Sequence, residues 1–368
     1  MPVLPVMRPK LPRLDRLVPY LRAIDEARTY SNFGPLVRSF EERLAARNGL
    51  HGGAVASVAN ATIGIMLALA AQGARPGTLC VMPAWTFVAS AHAATMAGLI
   101  PYFIDVDKDS WALDPESIAN AIAAAPAAVG AVMPVVPFGR PIDIAAWEDF
   151  QARSGVPVVI DAAAGFDAVT PSAVPMVVSL HATKVIGIGE GGFVMSTDQA
   201  LIRDIGARSN FGFVASRDAT SPAVNAKLSE YHAAVGLAAL DEWAEVRDEW
   251  MAAAAGYRTA LAQSNTLKFQ DGFGESWIAS TCVVSLAGPT AAHLENDLAR
   301  AGIDSRRWWG AGAHAHRATA GLPRASLPAT KLLAESTLSL PFFRDLRQQD
   351  IDRVVECVVA PTGSAAAG

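Results

Sequence analysis

Lys184 stands in the segment SLHATKVIGIGEGG, directly after the apolar run MVVSL (176–180). A lysine at the end of a strand, on a glycine-flanked loop, loses hydration. That lowers its pKa and frees the amine to form a Schiff base with a carbonyl. Asp161 closes a second apolar run, PVVID (157–161), so its carboxylate belongs at a strand's carboxyl end, where it can face a protonated pyridine nitrogen. Asn60-Ala61-Thr62 precedes the helical pattern TIGIMLALAA. Free backbone N–H groups and the Thr62 hydroxyl at such a helix start make a phosphate site. Phe87, in PAWTF, follows a third strand and offers a flat ring. Each residue alone also has a plain structural reading: a solvated lysine, a capping aspartate, an N-cap, a core phenylalanine. Together they supply an amine, a carboxylate, a phosphate cradle and an aromatic face, the parts that pyridoxal phosphate needs.

Positioning such residues is the work of strands with helices between them. The runs TLCVM (78–82), PYFIDV (101–106), AVMPVV (131–136), PVVID, MVVSL and FVMST (193–197) are apolar on successive residues. That pattern suits strands covered on both faces. Helical stretches alternate with them, among them PESIANAIAAA, where Asp114 caps and Pro115 takes the first helical position. Repeated βα units imply an α/β fold with a mostly parallel sheet between helices, and sites gathered outside the strands' carboxyl ends. The segment 187–192 matches GxGxxG but runs into FVMST, a strand, whereas a dinucleotide fingerprint must open a helix. A glycine-rich turn between strands is the reading adopted.

The chain has 368 residues, 51% hydrophobic and 18% charged, enough for two domains with large cores. A long helical pattern over 227–263 precedes a change of composition. The chain therefore divides into a large domain, 1–245, and a smaller C-terminal α/β domain, 246–368. In the second, 277–285 reads as a strand, PTAAHLENDLARAG and QQDIDRVVECVVA as helices, and the final GSAAAG as a frayed tail. A net charge of −5 without a Lys/Arg cluster argues against nucleic acid and anionic membranes as partners. The uncharged stretches 52–74 and 76–104 are diluted by polar residues or broken by prolines, so neither reads as a membrane span. Cys80, Cys282 and Cys357 are widely separated, fitting neither a disulfide framework nor a zinc site, and a reducing cytoplasm is the expected location.

The ordered series FGPLVRSFEERLA (33–45), NATIGI, MPAWTFVASAHAATMAGLIPYFIDVD, PFGRPIDI, VVIDAAAGFDA, SLHATKVIGIGEGGFV, NAKLSEYHAAVG and LSLPFFRDL resembles the DegT/DnrJ/EryC1/StrS family. These are sugar aminotransferases of pyridoxal-phosphate fold type I. The resemblance implies that Lys184 is the Schiff-base lysine, Asp161 the partner of the pyridine nitrogen and Ser179 a phosphate ligand. It further implies that Thr62 and the backbone of Ile63 form the phosphate turn and that Phe87 stacks on the cofactor. Asn225 matches an asparagine that reaches the phosphate of a neighbouring subunit, which implies a homodimer with sites at its interface. The family's usual Gln near the cofactor 3-hydroxyl is Ala164 here. Its Gly-Thr phosphate turn reads Ala61-Thr62, and a frequent histidine is Asn210.

The activity so implied is transfer of an amino group from an amino acid, glutamate above all, to a keto sugar nucleotide. Lys184 argues against the family's dehydratases, which carry His at that position. A non-catalytic sensor of the same fold and an aminotransferase for a non-sugar keto substrate are the alternatives. Two features stay open at this level. His181 either influences the site or is merely packed, and RRWWGAGAHAHR (306–317) either reaches over the site or forms a surface loop.

Overall fold

The computed structural model describes residues 3–288 and 290–359. Pro289 and the tail GSAAAG lie outside the described residues. Helices α1 (Leu14–Ala27) and α2 (Pro35–Arg47) lead into β1 (Val55–Val58) and α3 (Ala61–Ala71). Then come β2 (Leu79–Pro83), α4 (Val88–Met96), β3 (Ile100–Ile104), α5 (Pro115–Ala123), β4 (Val129–Val132) and α6 (Ile144–Ser154). Strands β5 (Ile160–Asp161), β6 (Met176–Ser179) and β7 (Gly192–Met195) complete the main sheet. Bridges Val132–Val158 and Val135–Asp161 join its two halves into the order β3-β2-β4-β5-β6-β7-β1. Only β7 runs against its neighbours, pairing antiparallel with β6 and β1. The strands are buried almost throughout, which explains why their sequences read as unbroken apolar runs. Asp114 caps α5, accepting from Glu116 N (3.1 Å) and Ser117 N (3.2 Å), with Pro115 first in the helix. No helix of the described residues is long and apolar enough to cross a membrane.

The single long helix expected over 227–263 is in fact two. After α7 (Gln199–Arg208), α8 (Glu230–Asp241) and α9 (Trp243–Ala260) meet at Glu242, whose ψ of 3° departs from helix. The break follows from packing, since α8 rests on α1 and α2, whereas α9 rests on the C-terminal helix. The expected boundary at 245/246 therefore falls within the first turns of α9. Beyond it, β8 (Leu267–Phe269), β9 (Cys282–Leu286) and β10 (Thr337–Leu340) form an antiparallel sheet in the order β10-β9-β8. Helices α10 (Ala291–Arg300), α11 (Pro328–Ser336) and α12 (Gln348–Val359) accompany it. The strand expected from residue 277 starts only at Cys282, because the Trp277 indole N–H is tied to Asp271 O (2.9 Å) in a turn. Asp105, just past β3, caps α11 by accepting from Ala329 N (2.7 Å) and Thr330 N (2.8 Å), which fixes the C-terminal elements to the main sheet.

Glu230 performs a comparable service at the other end. It is 1% exposed, and its carboxylate accepts from Leu36 N (2.8 Å) and Val37 N (2.9 Å) at the start of α2. A Cβ on Gly34 would lie 2.6 Å from Glu230 Cδ, so the approach requires glycine. Charge-assisted bonds to helix-start amides contribute about 1.5–3 kcal/mol each when buried. Glu230→Ala is expected to lower stability by about 2–3 kcal/mol, read as a lower urea midpoint with an unchanged slope.

Candidate active site

A cavity of about 550 Å³ opens at the carboxyl ends of the parallel strands, within the range of about 300–1,000 Å³ usual for cofactor sites. Asp161 lines it from the end of β5, and Lys184 from the loop that joins β6 to β7. The GxGxxG segment lies in that same loop and leads into β7, as a turn between strands. Its backbone closes on itself: Leu180 N donates to Gly191 O (2.9 Å), Ala182 N to Gly189 O (2.8 Å) and Lys184 N to His181 O (2.8 Å). From α9, the Trp250 indole donates to Val185 O (3.2 Å). The lysine thus projects from a rigid, cross-braced loop.

Lys184 and Asp161 sense each other's charge without touching. Burial pushes the Lys184 ammonium below the usual lysine range, and the Asp161 charge only partly restores it. Burial likewise raises the Asp161 carboxyl, against the pull of Ser90, the Ala163 amide and Lys184. Ser90 donates to Asp161 Oδ2 (2.7 Å), Ala163 N donates to Oδ1 (3.1 Å), and Ser90 is itself linked to Thr86 (2.9 Å). No ion pair closes the gap between Lys184 and Asp161. The lysine head has no hydrogen-bond partner among the described residues, and both groups line the cofactor-sized cavity.

The phosphate end is built where β7 and β1 bring the start of α3 to the cavity. Asn60 caps α3, its Oδ1 accepting from Ile63 N (3.0 Å). The Ile63 amide is therefore already engaged, and Ile63 does not line the cavity. The amides of Ala61 and Thr62 are the ones without partners among the described residues. Ala61, Thr62 and Ser179 all line the cavity, and Ser179 is 8% exposed. Gly192 makes this convergence possible, since a Cβ there would lie 2.8 Å from Ala61 N and 2.9 Å from Val178 O. A helix start, two free amides and two hydroxyls suit a phosphate dianion.

Phe87 lines the same cavity and is 56% exposed. Asn225 is exposed and does not line the cavity of its own chain. Its segment is held by the Ala226 O to Ala59 N bond (2.7 Å) and by a bridge from Asn225 to Asn210. Ala164 faces the cavity where the family's Gln would stand. His181 also faces it, with Nδ1 2.8 Å from Thr183 Oγ1 and Nε2 3.6 Å from Glu190. Arg306, Trp308 and Trp309 form part of the wall, so the RRWW segment does reach the site. Trp309 stacks on Phe138 (centroids 3.8 Å apart, 17° between planes). Ser90 and Thr86 escaped sequence reasoning. Their only signal was a four-residue spacing across the start of α4, which any helix displays.

Sheet order, cavity position and this set of groups define a fold type I pyridoxal-phosphate-dependent aminotransferase. The chain belongs to the DegT/DnrJ/EryC1/StrS aminotransferase family, whose model matches residues 15–359. Protein Rv3402c of Mycobacterium tuberculosis is 31% identical, over 97% of this chain and 90% of that one. The dTDP-4-amino-4,6-dideoxy-D-glucose transaminase of Shigella dysenteriae is 31% identical over 64% of each chain. Among solved structures, DesI in the presence of its TDP-sugar product superposes with a TM-score of 0.86 at 32% identity, covering 97% of this chain and 92% of that one.

The raised Asp161 carboxyl has a consequence for stability. In the unfolded chain it ionises in the ordinary carboxylate range, and in the fold only at higher pH. Between those points the unfolded state binds fewer protons, so stability falls as pH rises. Asp161→Asn is expected to raise the thermal midpoint of the cofactor-free protein at neutral pH, with the gain fading as pH drops below the ordinary carboxylate range. A pH series of thermal unfolding curves reads this directly.

Proposed function

We propose that this aminotransferase moves an amino group from glutamate to the keto carbon of a sugar nucleotide, with Lys184 and Asp161 as its catalytic residues. The observation that carries this reading is the convergence of Lys184 and Asp161 on one cofactor-sized cavity beside a helix start with free amides. The sugar acceptor is supported by two relatives, one a dTDP-4-amino-4,6-dideoxy-D-glucose transaminase and the other solved in the presence of its TDP-sugar product. When bound, pyridoxal phosphate supplies an aldehyde that condenses with amines and a ring that withdraws electrons from the reacting carbon.

The remaining work falls to the chain. Thr62, Ser179 and the amides of Ala61 and Thr62 hold the phosphate, and Phe87 covers the ring. Asp161, held in place by Ser90 and Ala163 N, would face the ring nitrogen, whose positive charge favours the carboxylate, and would hold a proton there. Lys184 anchors the resting cofactor. Once freed, its amine, whose pKa burial lowers, would take the proton from the donor's α-carbon and return it to the cofactor carbon that had carried the aldehyde. The hydrophobic walls exclude water from these transfers. We propose that Asn225 serves the site of a second copy of the chain, because it is exposed, fixed by backbone pairing and absent from the lining of its own cavity. The protein would then act as a homodimer. Free cysteines at 80, 282 and 357 accord with a cytoplasmic location.

The purified protein should be yellow with pyridoxal phosphate, and glutamate should bleach it. Lys184→Ala is expected to lose proton transfer by roughly 10²–10⁴-fold, measured as single-turnover conversion with glutamate; normal turnover by that variant would overturn the assignment. Bleaching without turnover on any keto sugar nucleotide would overturn the sugar acceptor. Asn225→Ala should release cofactor more readily on gel filtration. Mixing it with Lys184→Ala should restore activity through hybrid dimers, one of whose two sites then has both residues intact.

A further inference from the structure

The loop after Asp161 and the loop that carries Lys184 are held by the same helix. Asp161 opens a tight turn in which Gly165 N donates to Ala162 O (2.7 Å) and Ala168 N to Gly165 O (2.8 Å). Phe166 is 2% exposed and the Asp167 side chain 7%, so this turn is anchored inward. Both residues are met by α9. Trp243 packs edge-on against Phe166 (centroids 4.7 Å apart, 71° between planes). Arg247 Nε donates to both Asp167 oxygens, at 3.2 Å and 3.1 Å. Further along α9, the Trp250 indole reaches the other loop at Val185 O, next to Lys184.

Steps of four and then three residues put Trp243, Arg247 and Trp250 on one face of α9, spread over about 10 Å of helix. The first two grip the aspartate loop and the third grips the lysine loop. Arg47, from the end of α2, adds a second guanidinium to Asp167 (3.1 Å) and lies over the rings of Phe166 (4.5 Å) and Trp243 (5.0 Å). A nearly enclosed carboxylate shared by two guanidiniums resists displacement, because parting them would strand charge away from water. Trp243, Arg247 and Trp250 are absent from the lining of the cofactor cavity, so they act on it only through the loops.

An amine and a carboxylate that line one cavity attract each other, and unbraced loops would let them close together. Backbone bonds within a loop set its shape. Its distance from the other loop takes a contact that spans both, and α9 supplies one. We propose that the Trp243–Arg247–Trp250 face of α9 is a positioning strut that holds the Asp161 and Lys184 loops at the spacing the cofactor requires. This rests on the reading of Asp161 and Lys184 as the catalytic pair.

Hydrogen exchange of the cofactor-free protein, followed by mass spectrometry, reads the strut without any chemistry. Arg247→Gln should speed exchange about tenfold over 162–168, and Trp250→Phe about threefold over 182–188, each sparing the other loop. With pyridoxal phosphate bound, the pH midpoint of its visible absorbance reports the charges around Lys184. That midpoint should move by about half a pH unit or more in both variants, and Arg247→Lys, which keeps the charge, should return part of the shift. Glu230→Ala, whose partners lie at the start of α2, should lose stability and leave the midpoint where it stands. Midpoints unchanged in Arg247→Gln and Trp250→Phe would overturn the strut, whatever their stability. A visible absorbance that survives Lys184→Ala would defeat the catalytic reading of Lys184 and leave the strut to the exchange measurement. Wild-type exchange in both loops of both variants would overturn it in either case.

Discussion

A buried carboxyl and a half-buried lysine that do not meet organise this protein. Bringing Asp161 and Lys184 into the interior costs hydration on both sides, and direct contact would recover much of it. The fold prevents that contact. Asp161 is tied back by Ser90 and the Ala163 amide, and Lys184 is carried on a loop closed by its own backbone bonds. Each group is thus left in its less comfortable state, with a carboxyl raised and an ammonium lowered. We propose that the cofactor lies between them, offering a cationic nitrogen to one and an aldehyde to the other.

The rest of the architecture serves that separation. Parallel strands β4, β5 and β6 end at one edge of the sheet, so residues on their carboxyl ends and following loops converge although they are far apart in sequence. The antiparallel β7 carries the chain back from the lysine loop and, through Gly192, lets the start of α3 press close enough to place its free amides beside Ser179. The Trp250 bond to the lysine loop and the Asp105 cap on α11 connect the C-terminal elements to the same edge. Trp309, which stacks on Phe138 of the main domain, and Arg306 are brought to the cavity by that connection.

Departures from the family pattern sit around this core and not in it. Ala164 faces the cavity with no polar atom of its own side chain, which leaves room and removes a hydrogen bond at one side of the site. Asn210 pairs through its backbone with Asn225, so its place is structural support for the segment that we assign to a second subunit. The Ala61-Thr62 turn keeps its two amides free because Asn60 caps the helix one residue further on.

Much of this was legible without coordinates. Unbroken apolar runs announced doubly covered strands, because strand burial on both faces leaves no position for a polar residue. Lys184, Asp161, Thr62 and Phe87 stood out by their places at strand ends and helix starts, Ser179 came only with the family resemblance, and the structure brings all five to one cavity; the series of motifs named the family. Contacts between distant segments were not legible. The break at Glu242 depends on which partners α8 and α9 pack against, and the pairing of Ser90 with Asp161 on two elements meeting across the sheet. That the Ile63 amide is taken and Asp167 shared by two arginines depends on distances between side chains, which periodicity does not encode. Local pattern determines what each segment is, because propensity and burial act over a few residues. Which charges are paired, which are stranded and where the empty space lies are decided only when the segments close on one another.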